Sequence, residues 1–311
     1  VLASIRSATL LGVDGHPVRV EVHVSNGIPG YTVVGLPDAA GRESRERVRA
    51  ALLSSQLAWP SKRMTVNFAP ATVKKSGAGL ELAIALGLMV AESDLPAGCL
   101  DGVGVLGELG LDGTIRGVPG TFVLADALQR AGVDTVVVPA SNATEAALVH
   151  GLHVRAARTL AELRACLKGE EPWPEPDAPP GSGDDPPEAD PVDLADVRGL
   201  AHARHALAAC AAGHHHLLLA GPPGSGKTML ARRLTTILPP LDPDEAVEVT
   251  RIHSAAGGEP ARRLAHVRPF RAPHHTATTA ALVGGGSSRP RPGEVTLAHA
   301  RVSNPPPDVG T

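Results

Sequence analysis

The chain has 311 residues, with 29 Lys and Arg against 32 Asp and Glu, and its net charge of −3 carries no global sign of nucleic-acid binding. Hydrophobic residues at 43% and charged residues at 20% fit a globular protein with room for two cores. Aromatic residues at 2% argue against a base-stacking platform, and no apolar run approaches the ~20 residues that would span a bilayer. Cys99, Cys166 and Cys210 are far apart and show no CxxC spacing, which reads as reduced thiols in a cytoplasmic protein rather than a metal site or a disulfide framework. The first residue is Val1, which suggests a literally translated alternative start codon or a trimmed fragment.

In chain order, "VRVEVHV" at 18–24 alternates with period two after an Asp14-Gly15 turn and reads as a half-buried strand of a hairpin. Asp38 can cap a helix to about Leu53, supported by Glu43 and Arg47 four residues apart. "MTVNFA" is a strand, "LELAIALGLMVA" a mostly buried helix, and "VGVLGELGLDGTIRGV" two short strands joined at Asp112-Gly113. Helices follow at 120–131, near 142–150 and near 159–167, with a strand "DTVVVP" between the first two. These elements predict an α/β domain over 1–168 whose sheet is mixed, because hairpins exclude an all-parallel one.

Residues 169–193 are acidic and crowded with Pro, Gly and Ser, without one Lys or Arg. Such a stretch buries too little apolar surface to offset its ordering entropy and reads as an inter-domain linker, with an acidic interaction tail as the alternative. The second domain, 194–311, opens with a helix at 201–212 and a strand, "LLLA", that leads into "GPPGSGKT" at 221–228. "DPDEAVEVTRIHSAA" reads as a further helix begun at Asp242, and "EVTLAH" at 294–299 as at most a short edge segment.

"GPPGSGKT" satisfies G-x-x-x-x-G-K-[ST] between a predicted strand and a predicted helix. Gly221, Gly224 and Gly226 let the backbone of the loop, which also holds Pro222, Pro223 and Ser225, curl so that its N–H groups point at phosphate oxygens. Lys227 would reach the β- and γ-phosphates, Thr228 Oγ would hold Mg²⁺ through the nucleotide, and Met229 completes the set. The cofactors expected are therefore ATP or ADP and Mg²⁺; the alternative is a plain Gly/Pro-rich turn. Hydrolysis needs a further apolar strand ending in acids that hold Mg²⁺ and ready a water. After Thr228 the sequence has no apolar run ending in Asp-Glu, and the prolines of "ARVSNPPPDVGT" exclude a central strand there. No catalytic residue is assigned.

"VVGLPDAAGRESRERVRAALLSS", "VNFAPATVKKSGAGLELAIALGLM" and "GELGLDGTIRGVPG" resemble the N-terminal domain of the YifB/ComM magnesium-chelatase-like ATPases. "DLADVRGLAHARHALAACAAGHHHLLLAGPPGSGKTMLARRL" and "RPFRAPHHTATTAALVGGGSSRPRPGEVTLAH" are similar to the start of the AAA+ module of the same family, so the resemblance runs from about Leu2 to His299. It implies a Lon-protease-like (α+β) domain followed by a partial P-loop AAA+ domain, and a role as an ATP-driven ring motor that remodels DNA in transformation. Self-assembly into a ring belongs to full-length members, and DNA is the partner the resemblance implies. In AAA+ proteins the segment matching "DVRGLAHARHAL" lies over adenine, which makes Val197 and Gly199 base contacts, with Leu200 where relatives often have Gln.

Two departures bear on function. Aligning "KKSGAGLEL" with the Lon-type motif puts Gly79 where the nucleophilic Ser belongs and the partner Lys position near Phe122; Lys74, Lys75 and Ser76 do not fill those places, so no peptidase activity is expected. Family likeness also stops after His299, which suggests a frameshift or a shortened reading frame without the second acidic strand. Three functions compete: a DNA-remodelling motor, a nucleotide-binding adaptor without turnover, and a metal-chelatase motor subunit.

Between Arg251 and Gly293 there are seven Arg and a single acid, Glu259. By resemblance Arg268, Arg271, His274 and His275 belong to an insertion that contacts nucleic acid or a ring pore; a solvated or inter-subunit surface is the other reading, and both stay open. His214, His215 and His216 read as strand-entry residues, since neighbours along a strand point to opposite faces and at most two share one ion.

Overall fold

The computed structural model describes residues 1–35, 39–73, 75, 78–174, 192–274, 276–286, 290–300 and 302–303. Asp38, Lys74, Ser76, His275 and most of the expected linker lie outside the described residues. Two compact units result, one from the chain up to the linker together with His253–Arg263, the other from the remainder. The second unit therefore differs from the expected 194–311 span, because the last turn of one of its helices and the loop after it group with the first unit.

The first unit is built on a sheet ordered β3-β4-β2-β1-β5-β8-β9. β1 (Leu2–Leu11) and β2 (Asp14–Ser25) form an antiparallel hairpin in the register Leu2↔His23 to Leu11↔Asp14. β4 (Arg63–Ala69) pairs antiparallel with β2 and parallel with the edge strand β3 (Gly30–Val34). On the other side β5 (Val103–Val105), β8 (Thr135–Pro139) and β9 (His153–Ala157) continue in parallel from β1. The sheet is mixed, as the hairpin signals require. A small ladder, β6 (Glu108–Leu109) with β7 (Ile115–Arg116), turns at Asp112 and Gly113, the latter at φ +85°.

Helices cover the sheet where the sequence is most apolar. α1 (Ala39–Ser54) contributes Val48, Ala51 and Leu52 to the core. α2 (Glu81–Ala91) is buried on nearly every side, which explains its continuous apolar run in place of a 3.6-residue stripe. α3 (Thr121–Arg130) packs Phe122, Val123, Leu124 and Leu128 inward. A single-turn α4 (Ala143–Ala146) follows β8, and α5 (Leu160–Lys168) is capped by Thr159 Oγ1, which accepts from the Glu162 N–H at 3.2 Å.

The hairpin turn lies at Gly12 and Val13, not at the expected Asp14-Gly15 pair, which belongs to β2. Gly15 is there for a different reason. A Cβ at that position would lie 2.5 Å from Val123 O and 2.8 Å from Ala127 Cβ, so only glycine lets α3 approach the strand. Gly15→Ala is expected to destabilise the first unit by about 1–3 kcal/mol through this overpacking, measured by urea unfolding. A loss below ~0.5 kcal/mol would mean that α3 moves aside at little cost.

The expected linker starts later than its composition suggests. Gly169 ends α5 in the left-handed conformation, the Cys166 thiol donates to Pro172 O at 3.5 Å, and Arg155 stacks over the Trp173 ring at 5.4 Å. Residues 169–174 thus pack on the first unit.

The second unit contains α6 (Ala201–Gly213), α7 (Lys227–Arg233), α8 (Pro243–Ala256, up to Ile252), α9 (Thr279–Val283) and α10 (Glu294–Leu297), with β10 (Phe270–Arg271) paired to β11 (Val302–Ser303). Asp242 caps α8 as expected, Oδ1 accepting the Glu245 N–H at 2.8 Å while Glu245 Oε2 accepts the Asp242 N–H at 3.2 Å. Two expectations are corrected here. "EVTLAH" holds a helical turn, not an edge strand, and "LLLA" at 217–220 forms no strand ladder among the described residues. Leu217 and Leu219 nevertheless pack on Leu194, Val197, Leu207 and Leu230, while Leu218 is 89% exposed.

Candidate phosphate-binding loop and its surroundings

The segment 221–228 leads directly into α7. Gly221, Gly224 and Gly226 stand at φ +157°, +78° and +85°, a backbone path that side chains with a Cβ resist. A Cβ on Gly221 would come to 3.1 Å from Ser225 Oγ, and one on Gly226 to 3.3 Å from Met229 Cε, whereas Gly224 borders open space. Pro222, Pro223 and Ser225 are exposed, and the Ser225 N–H donates to Pro222 O at 3.4 Å. Lys227 Nζ turns over this loop, 2.8 Å from both Gly221 O and Pro222 O and 3.4 Å from Ser225 Oγ. Thr228 is exposed in the first turn of α7. An exposed, left-handed glycine loop with an ammonium at its centre fits a polyphosphate and its metal.

The segment before α6 borders the loop. Val197 is buried in the small core with Leu207 and Leu230. Gly199 at φ +66° and Leu200 at φ +50° then turn the chain in two successive left-handed steps, a conformation that costs a residue such as Leu200 about 1 kcal/mol or more. The Leu200 Cδ1 atom lies 3.6 Å from where a Gly226 Cβ would stand. Val197 and Gly199 are therefore on the stretch that reaches the glycine loop through Leu200.

The basic stretch behaves otherwise. Arg268 is 12% exposed and bidentate to Glu245, Nη1 to Oε1 at 3.0 Å and Nη2 to Oε2 at 2.7 Å, and it also donates to the carbonyls of Pro239 at 2.7 Å and Ala300 at 2.8 Å. Arg271 is bidentate to Glu294, with both contacts at 2.7 Å, and each partner's presence holds the carboxyl well below its ordinary range and the guanidinium above its own. His274 Nδ1 lies 2.8 Å from Thr276 Oγ1. The planar forks of Arg268 and Arg271 are thus matched to carboxylates inside their own unit. His214, His215 and His216 are exposed, His214 closing α6 at φ +52° rather than entering a strand, and no group of three metal-ligating side chains occurs among the described residues.

In the first unit, Gly79 faces the apolar Val118, whose Cγ1 lies 3.5 Å from a Cβ built on Gly79, and Phe122 is buried at 3% exposure. Lys75 is buried, donates to Pro70 O, and burial lowers its pKa. Sequence reading missed the most perturbed acid nearby. Glu81, fully buried at the start of α2, is paired with Arg47 and accepts the Leu109 N–H at 3.2 Å; burial pushes its pKa up to about 7 against the pull of Arg47. Its signal is a lone acid inside an apolar helix. Glu145, also buried, has its pKa raised by desolvation.

Two family models match the chain: "Magnesium chelatase, subunit ChlI" over residues 193–303 and "Subunit ChlI of Mg-chelatase" over 20–142. The competence protein ComM of Haemophilus influenzae is 42% identical over 303 residues, 96% of this chain, and the uncharacterized protein YifB of Escherichia coli is 41% identical over 301 residues, 97% of this chain. The chain belongs to the YifB/ComM family. An uncharacterized protein of Mycobacterium tuberculosis is 46% identical over 299 residues, 95% of this chain. The chain spans 58% of the length of each of these relatives. Their matched region takes in both units, the glycine loop included, and no helix of the described residues is long and apolar enough to cross a membrane.

Proposed function

We propose that this YifB/ComM member binds ATP or ADP with Mg²⁺ on residues Gly221–Thr228, with Met229 behind the loop, Val197 and Gly199 toward the base, and Thr228 Oγ on the metal. The observation that carries this reading is the run of left-handed glycines leading into α7 with the Lys227 ammonium held over them. Bound there, the nucleotide would supply the phosphoanhydride that a motor cleaves; the residues of this chain grip and orient it.

The fold expected around the loop is that of a magnesium-chelatase-type AAA+ module, and the first unit is read as a Lon-like domain that serves as scaffold or binding module. Val118 against Gly79 and the burial of Phe122 support the loss of peptidase chemistry, since neither place offers a hydroxyl or an amine. ComM's name supports a role in competence, and handling of DNA by a ring of such chains is the corresponding proposal. A second reading is a nucleotide-binding adaptor, which would hold nucleotide without sustained turnover.

The test pairs a Mg·ATP binding isotherm with phosphate release, each with and without DNA. Saturable binding with phosphate at the level of a blank is the expected result. DNA-stimulated release over many turnovers would replace the adaptor by the motor, and absence of any binding would remove the nucleotide assignment.

A further inference from the structure

The wall beside the glycine loop is held from the far end of α7. Arg233, in the last turn of that helix, donates from Nε to the Asp193 carbonyl at 2.9 Å across 40 residues of sequence, and its Nη2 stands 4.0 Å from Asp196 Oδ2. The side chain is 17% exposed, so much of the contact is shielded from water. One turn on, Thr236 Oγ1 accepts the Leu194 N–H at 3.3 Å and donates to Arg233 O at 2.8 Å. The segment they grip is itself rigid. Asp193 and Asp196 form a reciprocal cap, Asp193 Oδ1 accepting the Ala195 N–H at 2.8 Å and Asp196 Oδ2 the Asp193 N–H at 3.1 Å, around a 3₁₀ turn at Leu194–Asp196. Leu194 and Val197 then drop into the core with Leu207 and Leu230.

We propose that Arg233, assisted by Thr236, is a positioning residue that ties Asp193–Leu200 to α7 and so sets the base-side wall of the pocket independently of the phosphate loop. The proposal rests on the nucleotide reading above. The segment is tied at one end to the last turn of α7 through Arg233 and Thr236, packs through Leu194 and Val197 on Leu207 and Leu230, and reaches Gly226 through Leu200 at the other end. Val197 anchors this stretch in the core, while Gly199 and Leu200 are exposed next to the loop and give an apolar edge that suits the flat face of a heteroaromatic base, with the exposed Arg198 between them and Val197. The loop's own geometry is kept by Lys227 on the Gly221 and Pro222 carbonyls, contacts that do not involve Arg233.

The experiment compares Mg·ATP with Mg·tripolyphosphate on the intact chain, because the second ligand has phosphates and no base. Wild type is expected to bind ATP more tightly. Arg233→Ala is expected to weaken ATP about tenfold while changing tripolyphosphate less than about twofold, and Thr236→Val to move ATP the same way by about threefold. Arg233→Lys, which keeps one donor for the Asp193 carbonyl, should recover part of the loss. Equal weakening of both ligands by Thr236→Val and Arg233→Ala would overturn the proposal, as would unchanged ATP affinity in both variants. Failure of the underlying reading looks different: wild type itself would then bind neither ligand.

Discussion

Lys227→Ala is expected to lower Mg·ATP affinity at least ~100-fold, which corresponds to about 2.7 kcal/mol and is within what charge-assisted hydrogen bonds supply. The ammonium is the one cation placed on the loop, 2.8 Å from two of its carbonyls, and polyphosphate oxygens would draw it from those neutral acceptors to anionic ones. The exchange is favourable because an N⁺–H···O⁻ contact is roughly twice as strong as a neutral one. Alanine removes the charge and also the tether across the Gly221 and Pro222 carbonyls, so the loop loses both its ligand contact and part of its order. Lys227→Arg should not restore binding, since a planar fork does not occupy the place of a compact ammonium. Titration calorimetry with a non-hydrolysable ATP analogue gives the answer; affinity within threefold of wild type would remove the loop assignment.

The second large effect is in the first unit. Glu81→Ala is expected to cost about 3 kcal/mol, because it removes the contact of Arg47 with Glu81, leaves the buried Leu109 N–H without its Glu81 acceptor and opens a hole at the start of α2. Glu81→Gln separates charge from shape. The Glu81 pKa is raised to about 7 from 4.5, so the group's contribution to stability is complete below about 4.5 and is lost as pH rises through about 7. Wild type should therefore fall relative to Glu81→Gln between pH 4.5 and 7.5, and the amide variant should be the more stable above that range. Both tryptophans, Trp59 and Trp173, lie in the first unit, so urea unfolding followed by tryptophan emission reads this unit. If wild type instead gains on the variant as pH rises, the attraction of Arg47 outweighs the desolvation of the carboxylate.

Much of this molecule was legible in its sequence, for reasons that differ by element. The α2 run announces burial because apolar side chains at ten of the twelve positions 80–91 cannot all face water, and "GPPGSGKT" announces its loop because three glycines and a lysine at that spacing serve few other ends. The hairpin was visible but its turn was not: Gly15 is dictated by α3, more than a hundred residues away, and not by the local chain. The edge strands β3 and β9, "GYTVV" and "HVRAA", are too short and too weakly patterned to be read without their neighbours. "EVTLAH" becomes helical where Glu294 meets Arg271, a contact 23 residues long in sequence. Around the site, Arg233 escaped notice because its acceptor is a carbonyl, which carries no side-chain signature; only the "DLAD" cap beside it was open to inspection. Arg268 is the opposite case. Its charge is conspicuous, and nothing local tells that Glu245 neutralises it.

The apolar stretch 217–220, with Leu218 turned outward at 89% exposure, has a practical consequence. Main-chain donors and acceptors beside a bare leucine form a sticky ribbon that another extended peptide can zip onto. Preparations of this polypeptide should accordingly bind hydrophobic dyes and grow turbid with rising protein concentration, and Leu218→Lys, by planting a charge on the ribbon, should keep them clear.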